Sequence, residues 1–112
     1  MLTNPNLKSV TENQVKRQIT DYLTAKRYDW YTIKSLGVYD AKIKRHRKDP
    51  YYKPGVSDLM VFHNGMFYAI ELKRPVGGKQ SDAQKSFEAV VKRHGFKYIL
   101  ATDVSDLIRE GL

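Results

Sequence analysis

The sequence predicts an α/β fold, a mixed central sheet flanked by helices with elements in the order α-β-β-β-α-β-α. Three observations carry that expectation. Apolar residues recur at helical spacing in two segments, Val15, Ile19, Tyr22 and Leu23, then Ala83, Phe87, Val90 and Val91. Two apolar runs, 57–63 and 66–73, are joined by Asn64-Gly65. That dipeptide favours a tight hairpin, because both turn residues need φ > 0. A further apolar run, 96–101, follows the second helical segment.

Taken in order, residues 1–8 read as a terminus and a helix starts from Ser9. Two overlapping capping boxes fit that start, Ser9 with Glu12 and Thr11 with Gln14. Residues 28–35 are rich in aromatic and β-branched types and read as a strand. The polar stretch 37–55 reads as a loop. It carries Lys42, Lys44, Arg45, Arg47, Lys48 and Lys53 against Asp40 and Asp49, with Tyr51 and Tyr52 among them. The hairpin follows. After Pro75 and Gly77-Gly78, Ser81 and Gln84 form another capping box, and Gly95 stands where a helix C-terminus is expected. The run 96–101 is a strand. Asp103 caps a short last helix bearing Val104, Leu107 and Ile108.

The 112 residues suit a single domain, and 41% hydrophobic content is enough for a core. The longest apolar stretch is too short to span a bilayer. The opening residues lack a charged segment followed by an apolar run, so a cytoplasmic location is expected. The absence of cysteine excludes disulfides and thiolate metal sites. His46, His63 and His94 show no zinc spacing. Lys and Arg number 20 against 12 Asp and Glu, a net charge of +8, which favours a polyanionic partner: DNA, RNA or an anionic membrane surface.

A two-residue Asn64-Gly65 turn fixes the hairpin register. His63 then faces Met66, Phe62 faces Phe67, Val61 faces Tyr68, Met60 faces Ala69 and Leu59 faces Ile70. The next pair is Asp58 with Glu71. Direct opposites share one face with Cβ atoms roughly 4.5–5.5 Å apart. Lys73, two residues past Glu71, shares that face. Like charges so placed repel, and the apolar neighbours on both faces make the hairpin a buried element. Lys73 supplies one neutralising charge. A divalent cation supplies two and takes oxygen ligands from both acids, as Mg2+ prefers. The alternative is that Asp58 ends at an exposed sheet end and pairs with some Lys or Arg.

The string Gly55-Val56-Ser57-Asp58, then Glu71-Leu72-Lys73, then Gln84 on the following helix, with an acid on the preceding one, resembles the PD-(D/E)xK nuclease superfamily and, more narrowly, the VRR-NUC family. The resemblance runs from Glu12 to the last helix. Val56 departs from the proline of the superfamily pattern, with Pro54 just upstream. The resemblance implies a restriction-endonuclease-like core. It implies that Asp58, Glu71 and the Leu72 carbonyl bind Mg2+ or Mn2+, with Glu12 as the helix acid of the metal site. Lys73 would orient or activate the attacking water, and Gln84 would complete the catalytic set. The implied activity is metal-dependent hydrolysis of DNA phosphodiesters, selective for branched DNA such as four-way junctions and carried out by a homodimer.

The residues leave some roles open. Glu12 falls on the stripe of Val15 and Ile19, so it can face the sheet, or it can cap Ser9. Gln84 shares a face with Phe87 and Val91, so it can reach the site, or it can cap Ser81. The basic residues Lys42, Lys44, Arg45, Arg47, Lys48 and Lys53 are the candidate DNA-backbone contacts, with Lys79, Lys85, Lys92 and Arg93 extending the positive surface. Tyr51 and Tyr52 are read as packing their loop rather than stacking on bases. Trp30, Tyr31 and Tyr39 are the candidate dimer surface. Other activities that fit are a nicking, flap or restriction-type nuclease on simpler DNA, or a non-catalytic DNA-binding module. Against the last, a pure binder gains nothing from acids clustered where phosphate must approach.

Overall fold

Helix α1 (Glu12–Ala25) starts one turn later than its first candidate cap. Residues Leu7–Ser9 form a 3-10 turn instead, and the Thr11/Gln14 box closes. Thr11 Oγ1 accepts from the Gln14 N–H at 3.1 Å, and Gln14 Oε1 accepts from the Thr11 N–H at 2.8 Å. These bonds satisfy two donors that a helix start leaves open. The computed structural model describes residues 7–33, 38–40, 45–47 and 51–112, with only the backbone of 38–40 and 45–47.

Burial on α1 follows the expected stripe of Val15, Ile19 and Leu23. Glu12 does not belong to it. As the first residue of the helix it is exposed, because burial begins a turn later, at Val15. The helix ends on Arg27, which takes φ 60°, while the Tyr28 N–H reaches back to the Leu23 carbonyl at 3.0 Å.

Strand β1 (Asp29–Thr32) is shorter than the expected 28–35. Next come β2 (Val38–Asp40) and β3 (Arg45–Arg47), an antiparallel pair inside the stretch expected to be loop. Three-residue strands are too short for a period-two pattern to register in sequence, so the pair is not legible there. Strands β4 (Leu59–His63) and β5 (Met66–Leu72) form the hairpin in the derived register, from His63 opposite Met66 to Leu59 opposite Ile70. Asn64 at φ 50° and Gly65 at φ 77° make the turn.

Helix α2 (Asp82–Arg93) carries the Ser81/Gln84 capping box and is followed by Gly95 at φ 82°. Strand β6 (Lys97–Ala101) then pairs parallel with β5, and Asp103 caps α3 (Val104–Arg109). The main sheet has the order β1-β4-β5-β6, antiparallel except for its last pair. The described residues therefore form a mixed α/β fold, with three α-helices, a four-stranded mixed sheet and a separate two-stranded β2–β3 pair.

Register assigns the two faces. Leu59, Val61, Ile70, Leu72, Ile99 and Ala101 pack against Val15, Ile19 and Leu23 of α1 and Leu107 of α3. On the other face Ala69 and Tyr98 pack against Val91 of α2, with Phe67 and Phe87 alongside. Continuing the register one step past Leu59 and Ile70 puts Asp58 and Glu71 on the α2 face, at the end of the hairpin far from its turn. No helix among the described residues is long and apolar enough to cross a membrane.

Candidate active site

Glu71 is the one charged residue of the described chain that is buried, at 2% exposure. Its strand runs through the middle of the sheet, so the main chain holds it where solvent cannot reach. Oε1 accepts from Gln84 Nε2 at 2.6 Å and lies 3.7 Å from the Lys73 ammonium. Oε2 is buried with no partner. Burial pushes the Glu71 carboxyl up to about 8, the neighbouring Asp58 carboxylate adds to the rise, and Lys73 opposes it; Glu12 contributes a smaller like-charge push. Asp58 lies close enough that a protonated Glu71 bonds to it.

The segment 55–58 explains how Asp58 is aimed. Gly55 takes φ +98°, and a Cβ there would fall 2.3 Å from the Ala83 carbonyl oxygen of α2. Only glycine lets this backbone rest on the first turn of α2. Ser57 is buried and its hydroxyl donates to the Leu59 carbonyl at 3.2 Å, holding the entry into β4. Asp58 Oδ2 then accepts the Leu72 N–H at 2.8 Å, while its own carbonyl accepts from Ile33 N–H at 3.0 Å. A strand residue sends its N–H and C=O to the same side. The Leu72 carbonyl therefore leaves β5 on the Asp58 side, and the Lys73 N–H points the other way, to Ala101 of β6 at 3.0 Å.

Gln84 takes both of the roles left open for it. Its Oε1 accepts from the Ser81 N–H at 2.8 Å, and its Nε2 holds Glu71. The cap fixes the amide, so the nitrogen is presented to the acid in one orientation. Glu12 does not cap Ser9. It stands at the exposed start of α1 and lines a cleft of about 350 Å3 together with Lys73. The described residues gather no cluster of three or more His, Cys, Asp or Glu side chains, so two carboxylates form the inner set. An unpartnered carboxylate oxygen, a second acid beside it and a main-chain carbonyl directed alike are an all-oxygen donor set. It fits a hard divalent cation that keeps several waters.

Compared with protein-family models, curated proteins and solved structures, the chain matches none. The site is therefore read from its own geometry.

Lys53 is exposed, and Arg45 and Arg47 lie on β3. Lys42, Lys44 and Lys48 fall outside the described residues. Tyr51 is 90% exposed and Tyr52 39%. Trp30 and Tyr31 do not form one patch, since neighbours on a strand face opposite ways. Trp30 Nε1 donates to Thr24 Oγ1 at 3.1 Å and its ring packs on the α1 side. Tyr31 joins Phe62, Phe67 and Phe96 in a chain of ring contacts across the other face. The side chain of Tyr39 lies outside the described residues. Arg74 and Gly78, which line the cleft beside Lys73, are site residues that sequence reasoning misses. Their only signal is adjacency to the E-x-K tripeptide.

Proposed function

We propose that the protein is a metal-dependent DNA endonuclease of the VRR-NUC type, built on a restriction-endonuclease-like core. It acts as a homodimer on branched DNA such as four-way junctions. The observation that carries the reading is the buried, unpartnered Oε2 of Glu71 beside Asp58. A carboxylate in that position costs stability unless something binds it. Asp58, Glu71 and the Leu72 carbonyl would hold Mg2+ or Mn2+, with Glu12 as an outer acid. When bound, the cation supplies charge stabilisation at the phosphoryl oxygens and lowers the pKa of water.

The side chains do the rest. Gln84 holds Glu71 in one orientation, and the Leu72 N–H holds Asp58. Lys73, with a side chain 14% exposed, keeps its ammonium on the acid face. There it orients the attacking water and offsets the negative charge that builds in the transition state. The net charge of +8 supplies general affinity for the DNA backbone, with the basic residues 42–53 as contacts. The proposed contacts are with the DNA backbone, which favours recognition of DNA shape over base sequence. A four-way junction has two-fold symmetry that a C2 dimer matches.

The test is cleavage of labelled four-way junction, flap and linear duplex with Mg2+, Mn2+ or EDTA, for the native chain, Asp58→Asn and Lys73→Met. The expected result is junction cleavage that needs the metal and falls at least 100-fold in both variants, an order of magnitude typical of removing a charge-stabilising group. Cleavage that survives EDTA or Asp58→Asn would sink the metal-nuclease reading. Sedimentation showing one protomer per junction would remove the homodimer.

A further inference from the structure

The cleft that Glu12 and Lys73 share is a second feature beside the candidate site. It runs between the 3-10 turn before α1 and the loop that follows β5. Lys8, Lys73, Arg74 and Lys79 line it, against Glu12 as the one carboxylate. Its volume of about 350 Å3 is within the range of ligand pockets, roughly 300–1,000 Å3. Among the described residues, Lys8, Arg74 and Lys79 have no carboxylate partner.

The wall of the cleft is built, not incidental. A Cβ on Gly78 would fall 2.7 Å from the Arg74 carbonyl oxygen and 3.1 Å from Lys73 Cβ, so the loop folds back directly on the Lys73–Arg74 backbone. Gly77, at φ +82°, lies against the Arg74 guanidinium: a Cβ there would be 3.3 Å from its Nη2. The two glycines thus bring Arg74 and Lys79 onto one wall with Lys73. Lys73 also stands 3.7 Å from Glu71, so this one side chain is shared by the cleft and the acid pair. Three cations without a carboxylate partner among the described residues, a guanidinium laid along a glycine and a wall shared with the candidate site through Lys73 match the chemistry of a phosphate group.

We propose that this cleft seats a phosphate of the DNA strand next to the one that is cut, held by Arg74, Lys79 and Lys8. The proposal rests on the nuclease reading for its place in the reaction, but not for the binding itself. The phosphate can be a strand-terminal monoester or an internal diester. Glu12 is the lone acid lining the cleft, and its charge also reaches Glu71 weakly. It disfavours a second phosphate at the mouth when no cation is bound.

The experiment measures binding, so that it stands apart from cleavage. Fluorescence anisotropy in EDTA follows a labelled oligonucleotide carrying a 5′-phosphate, a 3′-phosphate or only terminal hydroxyls. The proteins are the native chain, Arg74→Glu, Lys79→Glu, the double variant, and Lys26→Glu. Lys26 is an exposed lysine past the far end of α1, about 20 Å of helix from the cleft. The altered side chains are exposed, and a thermal melt checks that each variant folds. The double variant is expected to bind more than tenfold more weakly. Its salt dependence should flatten by about 0.7–0.9 for each phosphate that the variant no longer neutralises. Lys26→Glu should weaken binding much less. If the weakening depends on a terminal phosphate the monoester is the ligand; if it does not, the diester is. Equal weakening in the cleft and Lys26 variants, or none in the cleft variants, overturns the proposal. Binding that depends on Arg74 in a protein that never cleaves would leave the cleft standing and overturn the nuclease reading alone.

Discussion

Single residues decide this site through contacts that the chain makes at long range. Gly55 is the sharpest case. Replacing it with Ala adds a Cβ that would lie 2.3 Å from a backbone oxygen of α2, at a left-handed φ of +98°. Both the strain and the clash must be relieved by moving the segment that aims Asp58. Gly55→Ala is expected to lower stability by about 2–4 kcal/mol, left-handed strain and overpacking together. Gly65→Ala, also at positive φ but with nothing within 4 Å, should cost only about 1–2 kcal/mol. Urea melts of the two variants check the contrast; equal costs would mean that the Ala83 contact carries no weight. The same pair shows what the sequence could reveal. Gly65 was legible because a hairpin turn is local chemistry. Gly55 belonged to a motif, but its reason lies 28 residues away, on Ala83. Gln84 is similar. Pattern alone could not choose between cap and site, because the amide does both through its two ends.

At the scale of elements, legibility followed length and periodicity. The α1 stripe and the hairpin register came straight from the residues, since a 14-residue helix and a tight turn impose periods that few other structures share. Strands β2 and β3, three residues each, impose none. The start of α1 falls later than its residues suggest because two capping boxes overlap and nothing local ranks Thr11 above Ser9. That choice matters for function: it frees Glu12 from capping and leaves it at the mouth of the cleft. The other end of α1 carries its own strain. Arg27 adopts φ 60°, a position that glycine occupies at most such helix ends. Arg27→Gly should therefore stabilise the chain by up to about 1 kcal/mol, a shift of some 4–8 °C in melting temperature for a domain near this size. A drop in melting temperature would mean that the arginine side chain makes a contact worth more than its backbone strain. Since Arg27 lies past the end of α1 opposite Glu12, the proposed cleavage should be unchanged.

For the molecule as a whole, the acid pair couples stability to pH with a definite sign, and the proposed metal would couple to it with the opposite one. The Glu71 carboxyl sits at about 8 in the folded chain against an ordinary 4.5. Between those values the folded state binds more protons than the unfolded one. Its contribution to stability is therefore fully present below about pH 4.5 and is lost as pH rises through about 8. On the proposed function a divalent cation would act in the opposite sense, because it would bind the ionised acid and have to displace the proton to do so. The metal-free protein should thus melt at lower temperature as pH rises across this window, and saturating Mg2+ should restore little near pH 5 and most above pH 8. Glu71→Gln removes the titrating group and leaves the Gln84 contact an acceptor. Subtracting its melting curve from that of the native chain cancels the other carboxylates. That difference should change by up to about 1.4 kcal/mol per pH unit, and the variant should be the more stable protein at alkaline pH without metal. A Mg2+ shift that is flat in pH, or one that persists in Glu71→Gln, would place the cation somewhere other than on Glu71. If the shift follows the predicted sign, the instability of a buried, half-paired acid is what the fold accepts in order to hold a cation at that point.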